Sequence, residues 1–121
     1  MAGKIIADTL EHSTAGSIAT NYVVEGVEKV WSNFNGQGTI ALRGSLNVTS
    51  LTDVNTGEYS VNFSSAMADT NYSTRTSSNH YHAHTANSAK LTTKTNVYVA
   101  DASHSYIDVA QVDLGIVGDL A

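Results

Sequence analysis

Apolar and polar residues alternate most regularly at residues 58–67, where the sequence reads EYSVNFSSAM. Along an extended chain Tyr59, Val61 and Phe63 fall on one side, and the polar residues between them fall on the other. A period of two is typical of a strand that has one face in a hydrophobic core and the other in water. The pattern therefore predicts a half-buried β-strand at this position.

Weaker strand patterns recur along the chain after residue 26. They cover residues 27–34, 39–44, 45–54, 70–77, 89–100 and 104–120. Asn35-Gly36 predicts a tight turn and a hairpin after the first of them, and Asn55-Thr56-Gly57 predicts a hairpin with a Gly bulge. No segment shows a helical period, and the chain contains no proline. We therefore predict an all-β fold, an antiparallel β-sandwich of six to eight strands.

The first 26 residues have a different pattern. Short apolar groups, at Ile5 and Ile6, at Ile18, and at Val23 and Val24, are separated by Gly, Ser and Thr. None of these groups is long enough for an independent element. We interpret residues 1–26 as an extended N-terminal arm with one or two short strands, which attaches the β-sandwich domain of residues 27–121 to another protein. The predicted attachment residues are Ile5, Ile6, Val23 and Val24, and the alternative is that the segment is the first edge strand of the same domain.

Composition supports the all-β prediction and adds an expectation about assembly. The 121 residues suit one domain, and Ser, Thr and Asn make up 38 of them. These residues are poor helix formers, whereas Thr suits strands and Asn and Ser suit turns. Charged residues are only 14% of the chain, so little charge keeps exposed sheet edges apart. We therefore expect the chain to pair its edges with copies of itself.

Charge and hydropathy exclude several classes of partner. A formal net charge of −5, with the basic residues scattered, argues against a nucleic-acid-binding protein. No apolar run reaches the roughly 20 residues that a membrane-spanning helix needs. The N-terminal residues lack the apolar core of a signal peptide, and so we expect the protein to be made without secretion.

Three alternating histidines form the most unusual polar feature. His80, His82 and His84 would share one face of a strand, and neutral imidazole is the commonest metal ligand. Two histidines from each of three chains around a threefold axis would supply six nitrogens, an octahedral set that suits iron or nickel better than zinc. No carboxylate lies nearby to orient the rings. We favour the alternative of a polar strand whose imidazoles face water or pack on Tyr and Asn, and contact with a ligand remains a third possibility.

One further group of residues invites a functional interpretation. Asp101, Ser103, His104, Ser105 and Asp108 include the residue types of a hydrolytic triad. Neighbouring residues of a strand point to opposite faces, which is poor geometry for a nucleophile and its base, and no nucleophile elbow is present. A polar turn between the last two strands is therefore the favoured interpretation, and we predict no catalytic residues.

The single tryptophan, Trp31, lies in the first clear strand. Large aromatic side chains dominate the energetics of both cores and interfaces. We interpret Trp31 as an anchor in the core or in an interface, with contact to a ligand as the alternative.

Two consecutive stretches in the first half of the chain resemble a known module. They are KVWSNFNGQGTIALR at residues 29–43 and SLNVTSLTDVNTGEYSVNFSSAM at residues 45–67, followed by Asn71-Tyr72. This pattern looks like a module of tailed bacteriophages from marine and other environments, where it is labelled a tail-fibre or virion structural protein. The opening, residues 5–17, is similar to the particle-attaching start of such proteins. The resemblance covers most of residues 1–75 and brings no catalytic residues with it.

The resemblance implies a non-enzymatic virion protein, a β-sandwich knob or fibre module that is usually a homotrimer and is made in the host cytoplasm. The length leaves room for a knob and an arm but not for a shaft. We therefore expect a capsid decoration (cement) or short head-fibre protein that binds the phage major capsid protein. The alternative is a tail-fibre or receptor-binding knob that is attached to tail proteins and contacts host surface glycans. No cofactor is expected, apart from the metal ion considered above.

Overall fold

The structure, a computed structural model, describes residues 3–80 and 82–121. Within these residues the elements follow in the order β1 (Thr9–His12), β2 (Gly16–Ala19), α1 (Thr20–Gly26), β3 (Glu28–Asn35), β4 (Ala41–Leu46), β5 (Val48–Asn55), β6 (Glu58–Phe63), β7 (Ser73–Ser78), β8 (His82–His84), a single 3-10 turn (Asn87–Ala89), β9 (Lys94–Ala100) and β10 (Val112–Val117). Strands dominate, and the predicted all-β class is confirmed.

The strands from β3 onward form two antiparallel sheets of four strands each. Sheet I has the strand order β4-β3-β10-β7, and sheet II has the order β5-β6-β9-β8. The chain crosses between the sheets after β4, β6, β7 and β9. The predicted antiparallel β-sandwich is therefore confirmed, and it contains eight of the ten strands in the described part of the chain.

One hydrophobic core lies between the two sheets. Sheet I contributes side chains from β3 and β10, and sheet II contributes side chains from β6 and β9. The core residues of these strands are Val30, Phe34, Val112, Leu114, Ile116, Tyr59, Val61, Phe63, Val97 and Val99. In β6 the inward residues are Tyr59, Val61 and Phe63, as the alternating pattern predicts. The residues that alternate with these core positions therefore face outward, and the outer faces of the sheets carry the candidate sites.

Glycine is required at two positions where a hairpin connection lies close to core residues. Gly57 ends the β5–β6 connection with φ of 67°, a left-handed conformation that glycine adopts without steric cost. A Cβ there would also overlap the carbonyl oxygen of Val99. Gly36 serves close approach, because a Cβ on it would overlap the ring of Tyr59. The predicted hairpin is confirmed, because β3 pairs with β4. The predicted tight turn at Asn35-Gly36 is wrong, since five residues, 36–40, connect the two strands.

The last predicted strand is shorter in the structure. The pattern predicts a strand at residues 104–120, but β10 is only Val112–Val117. The preceding residues form a loop against the core edge, where the amide of Ile107 donates to the carbonyl of Val99 at 3.1 Å. Val109 in this loop is buried. The apolar residues of the loop therefore pack against the core although they do not belong to a strand.

Residues 3–26, which we call the arm, contain a β-hairpin and a short helix. Strand β1 pairs with β2 in its own two-stranded sheet, so within the described residues the arm is not an edge strand of the sandwich. Helix α1 was not predicted, because seven residues are too few to show a helical period. The division into an arm at residues 1–26 and a domain at residues 27–121 stays a prediction.

Candidate functional site

The four most exposed large apolar side chains of the described residues all lie in the arm. Ile5 is 91% exposed and Ile6 is 82% exposed. Together with Leu10, Val23 and Val24 they line a cleft of about 410 Å³, which we call the arm cleft. The structure thus brings the four predicted attachment residues to one surface. Whether they attach the chain to a particle stays a prediction.

The arm has few means of stabilising itself. A two-stranded hairpin and a helix of fewer than about 12 residues are both marginal in water. Helix α1 has no side-chain cap at Ala19 and buries no residue. Its last turn carries Glu25 and no basic residue, which is unfavourable at the negative end of the helix dipole. The arm therefore presents its apolar cleft on a scaffold that has little stability of its own.

Two of the three histidines, His82 and His84, lie in β8, which is an edge strand of sheet II. In β8, Ala83 packs toward the core, and so His82 and His84 share the outward face, as the spacing predicts. His80 lies in the bend before this strand and not in the strand itself. Tyr81, the alternate residue of the motif, lies outside the described residues.

The two strand histidines stack on different rings. The His82 ring centre is 5.2 Å from that of His104, and the His84 ring centre is 5.3 Å from that of Tyr98, with the ring planes 18° apart in both pairs. Tyr106 follows at 5.9 Å from Tyr98. These five side chains form what we call the ring row on the outer face of sheet II. The favoured prediction was of imidazoles that face water or pack on Tyr and Asn; His84 packs on a tyrosine, whereas His82 packs on another histidine.

No group of three or more His, Cys, Asp and Glu in residues 3–80 and 82–121 is placed to hold a metal ion. The hypothesis of a metal on a threefold axis requires imidazoles from three chains. The metal site of His80, His82 and His84 therefore stays a prediction.

Four of the residues with a triad composition form a polar turn, as predicted: Asp101, Ser103, His104 and Ser105. The Asp101 carboxylate accepts the backbone N–H of Ser103 at 2.8 Å and that of Ser105 at 3.0 Å. The N–H of His104 donates to the carbonyl of Asp101 at 3.0 Å. Asp108 lies apart from this turn and accepts an N–H from the β5–β6 hairpin. Asp101 thus organises the backbone of the turn.

Trp31 lies on the outer face of sheet I and is 39% exposed, so it is not a core residue, and its other predicted roles, as an interface anchor or a ligand contact, stay predictions. Its neighbours in β3, Val30 and Ser32, are the inward residues. Beside the indole runs an open groove of about 450 Å³, which we call the tryptophan groove. Its lining includes Glu28, Trp31, Asn33, Arg75, Asp113 and Gly115.

Asp113 is the most closely held polar group of the tryptophan groove. Its carboxylate accepts hydrogen bonds from the Asn33 amide, the Ser77 hydroxyl at 3.1 Å and the Gln111 amide at 3.0 Å. Burial acts to raise the pKa of Asp113, but these three hydrogen bonds and the charge of Arg43 outweigh it, so the pKa lies below its usual value. The carboxylate is therefore ionised and fixed in place at neutral pH.

The sequence interpretation did not identify the groove. Glu28, Arg75 and Asp113 belong to three strands that are distant in sequence and become neighbours only through the order β3-β10-β7. One signal was available for Asp113, since the apolar residues at 112, 114 and 116 place it on the outer face. Nothing in the sequence shows that this face lies beside Trp31.

The fold and its surfaces define an antiparallel β-sandwich protein with an apolar cleft on its arm and a polar groove beside an exposed tryptophan. No protein-family model, no curated protein and no solved structure matches the chain. Among the helices of the described residues, none has the length and apolar character needed to cross a membrane.

Proposed function

We propose that this chain is a non-enzymatic structural protein of a bacteriophage particle. In this proposal it is a homotrimeric capsid decoration (cement) or short head-fibre protein, which binds the major capsid protein through its arm. The observation that carries the proposal is the arm cleft, where Ile5 and Ile6 are almost fully exposed beside Val23 and Val24. The resemblance of residues 1–75 to virion modules of tailed bacteriophages supports the choice of partner.

Two kinds of contact would bind the arm to a shell protein. The apolar side chains of the cleft would leave water, which is worth about 25 cal/mol for each Å² of apolar surface that is buried. Strands β1 and β2 form a two-stranded sheet, and so each has an outer edge whose backbone groups can pair with a strand of the partner. Main-chain pairing would orient the arm, and the apolar contacts would supply most of the affinity.

Edge strand β4 supports association between copies of the chain. Leu42 and Leu46 are exposed on this edge of sheet I. An edge strand with exposed apolar residues is a site of uncontrolled pairing unless a partner covers it. A symmetric homotrimer in which each β4 contacts a neighbouring copy would cover these edges.

A second candidate function is favoured by the tryptophan groove. A tail-fibre or receptor-binding knob, attached to tail proteins, would use an exposed aromatic side chain and fixed polar groups to contact host surface glycans. Copy number separates the two candidates. Gel densitometry of purified virions should give a decoration protein in amounts comparable with the major capsid protein, and a tail fibre in a small fraction of that amount.

The attachment role is tested by rebinding to particles of the encoding phage that lack this protein. Variant Ile5→Ser/Ile6→Ser should keep the wild-type circular dichroism and thermal transition but should not sediment with the particles. The matched control, Val54→Ser/Leu91→Ser, changes two exposed apolar residues outside the arm and should sediment like the wild type. Wild-type rebinding by the Ile5→Ser/Ile6→Ser variant, or absence of the protein from purified virions, would refute the proposal.

A further inference from the structure

The tryptophan groove shares no residue with the arm cleft. A ligand could therefore bind in the groove whether or not the arm attaches the chain to a phage particle. It crosses sheet I from β3 over β10 to β7. Its volume of about 450 Å³ falls in the range of about 300–1,000 Å³ that is usual for small-molecule sites. The groove is formed by side chains of three regular strands, and so its shape does not depend on a loop.

The floor of the groove is glycine. Gly115 lies directly between Trp31 and Arg75 in the strand register. A Cβ at this position would overlap the Glu28 carboxylate, so glycine leaves the space that this carboxylate occupies on the floor of the groove. The Trp31 indole is supported from behind in a similar way, since a Cβ on Gly44 would lie only 3.3 Å from it. The result is a supported aromatic wall beside a floor that carries the Glu28 carboxylate.

The polar groups of the groove offer both hydrogen-bond donors and acceptors. Asp113 receives three of the roughly four hydrogen bonds that a carboxylate can accept, which leaves one position for a ligand hydroxyl. The Asn33 amide nitrogen is used by Asp113, and its carbonyl oxygen remains as an acceptor. Arg75 forms no side-chain hydrogen bond or ion pair within the described residues, so its five N–H groups are available as donors.

The hydrogen-bond donors, the acceptors and the exposed indole together indicate which class of ligand fits the groove. Sugar hydroxyls both donate and accept, and the C–H face of a pyranose ring is a flat apolar surface that can pack on an indole. The centre of a protein interface is depleted of charged residues, whereas this groove holds Glu28, Arg75 and Asp113. Of the charged residues that line the groove two are negative and one is positive, which favours neutral sugars over sialic and uronic acids.

We propose that the tryptophan groove is a binding site for a neutral saccharide. One sugar ring lies against the indole of Trp31, and its hydroxyls bond to the Asp113 carboxylate and the Arg75 guanidinium. Longer saccharides extend along the groove between β3 and β7.

Trp31 is the only tryptophan in the chain, so its fluorescence reports on this site alone. The full-length protein is first applied to a glycan array that carries neutral, sialylated and uronic-acid oligosaccharides. The neutral glycan that binds best, and its free monosaccharides, are then titrated while Trp31 emission is followed. We expect saturable changes in emission with neutral sugars. Trp31→Ala, assayed by calorimetry, should weaken binding about tenfold or more, and Arg75→Ala should weaken it with the indole still present as reporter.

Two controls make the result specific. Trp31→Phe keeps an aromatic surface and should retain part of the affinity. Tyr106→Ala removes an exposed ring of the ring row on the opposite sheet and should leave binding unchanged. Urea denaturation of each variant checks that it is folded.

Three outcomes would overturn the proposal. The first is an array on which no neutral glycan binds. The second is glycan binding that survives Trp31→Ala and Arg75→Ala but is lost in Tyr106→Ala, which would place the site on the ring row. The third is a sedimentation experiment in which Trp31→Ala dissociates an oligomer, since the groove would then be an interface between copies.

Discussion

In the sandwich, the side chains of Phe34, Tyr59 and Ile116 have no contact with solvent, whereas in the arm Ile5 and Ile6 are almost completely exposed. Both regions are strand-rich and both carry large apolar residues, but only the sandwich has a second layer to cover them. The comparison teaches that apolar content alone does not identify a core. The apolar residues of the sandwich are covered within its own two layers, whereas those of the arm are exposed to solvent.

The largest expected effect on stability comes from truncation in the core. Phe34 is fully buried and packs edge-to-face on Tyr59, with ring centres 5.4 Å apart. Phe34→Ala should lower the free energy of unfolding by about 3–5 kcal/mol, because it removes a large apolar side chain and leaves a cavity. Ile6→Ala removes exposed atoms and should change it by less than about 0.5 kcal/mol. Urea denaturation measures both, and similar losses would show that the arm packs into the core.

A smaller loss is expected from the buried hydroxyl of Tyr59. This hydroxyl donates to the Gly36 carbonyl at 2.8 Å and lies 3.0 Å from the Asp108 carboxylate, so it joins β6 to both neighbouring loops. Tyr59→Phe removes this donor from the Gly36 carbonyl and leaves Asp108 with the Gly57 N–H, so it should cost about 1–3 kcal/mol of stability. Tyr22→Phe removes an exposed hydroxyl of the arm and should have no measurable effect.

The same hydroxyl makes stability depend on alkaline pH. Burial raises the pKa of Tyr59 above its usual value, and Asp108 raises it further. The folded state therefore retains a proton that the unfolded state loses near pH 10. This contribution to stability is complete below pH 10 and is lost as the pH rises above it. Urea denaturation between pH 8 and 11 should show a shallower decline for Tyr59→Phe than for the wild type, and parallel curves would contradict this assignment.

The sequence predicted most of the fold because the core strands follow simple alternation. In β6 the order of Tyr59, Val61 and Phe63 is sufficient to assign the inward face. Prediction failed where tertiary contacts decide the local structure. Val109 and Ile107 look like strand residues but lie in a loop that packs against the core, and Gly36 looks like a turn residue but allows the close approach of Tyr59.

A candidate site could be predicted from the sequence only where all of its residues lie in one segment of the chain. The arm residues Ile5 and Ile6 stand out because they are apolar in a polar segment, and the outward face of His82 and His84 follows from their spacing. The tryptophan groove depends on β10 lying between β3 and β7, a neighbourhood that local patterns do not specify. Long-range strand order was the missing information.

The smallest expected effect concerns the local stability of the arm. The Thr20 hydroxyl donates to the Ala7 carbonyl at 2.6 Å, and the Thr20 N–H donates to the Asp8 carbonyl at 2.9 Å. Thr20→Val removes the first bond and should raise amide hydrogen exchange in β1 and β2 several-fold, since one hydrogen bond is worth about 0.5–1.5 kcal/mol. Global unfolding in urea should stay within about 0.5 kcal/mol of the wild type.

The matched control for this variant lies in the sandwich. The Thr74 hydroxyl bonds to that of Thr85 and joins β7 to the segment after β8. Thr74→Val should lower the global free energy of unfolding by about 0.5–1.5 kcal/mol and leave exchange in β1 and β2 unchanged, because the arm opens independently of the sandwich. If Thr20→Val instead lowers global stability as much as Thr74→Val does, the arm unfolds together with the sandwich, and the contrast between a sandwich that covers its own apolar residues and an arm that has little stability of its own is wrong.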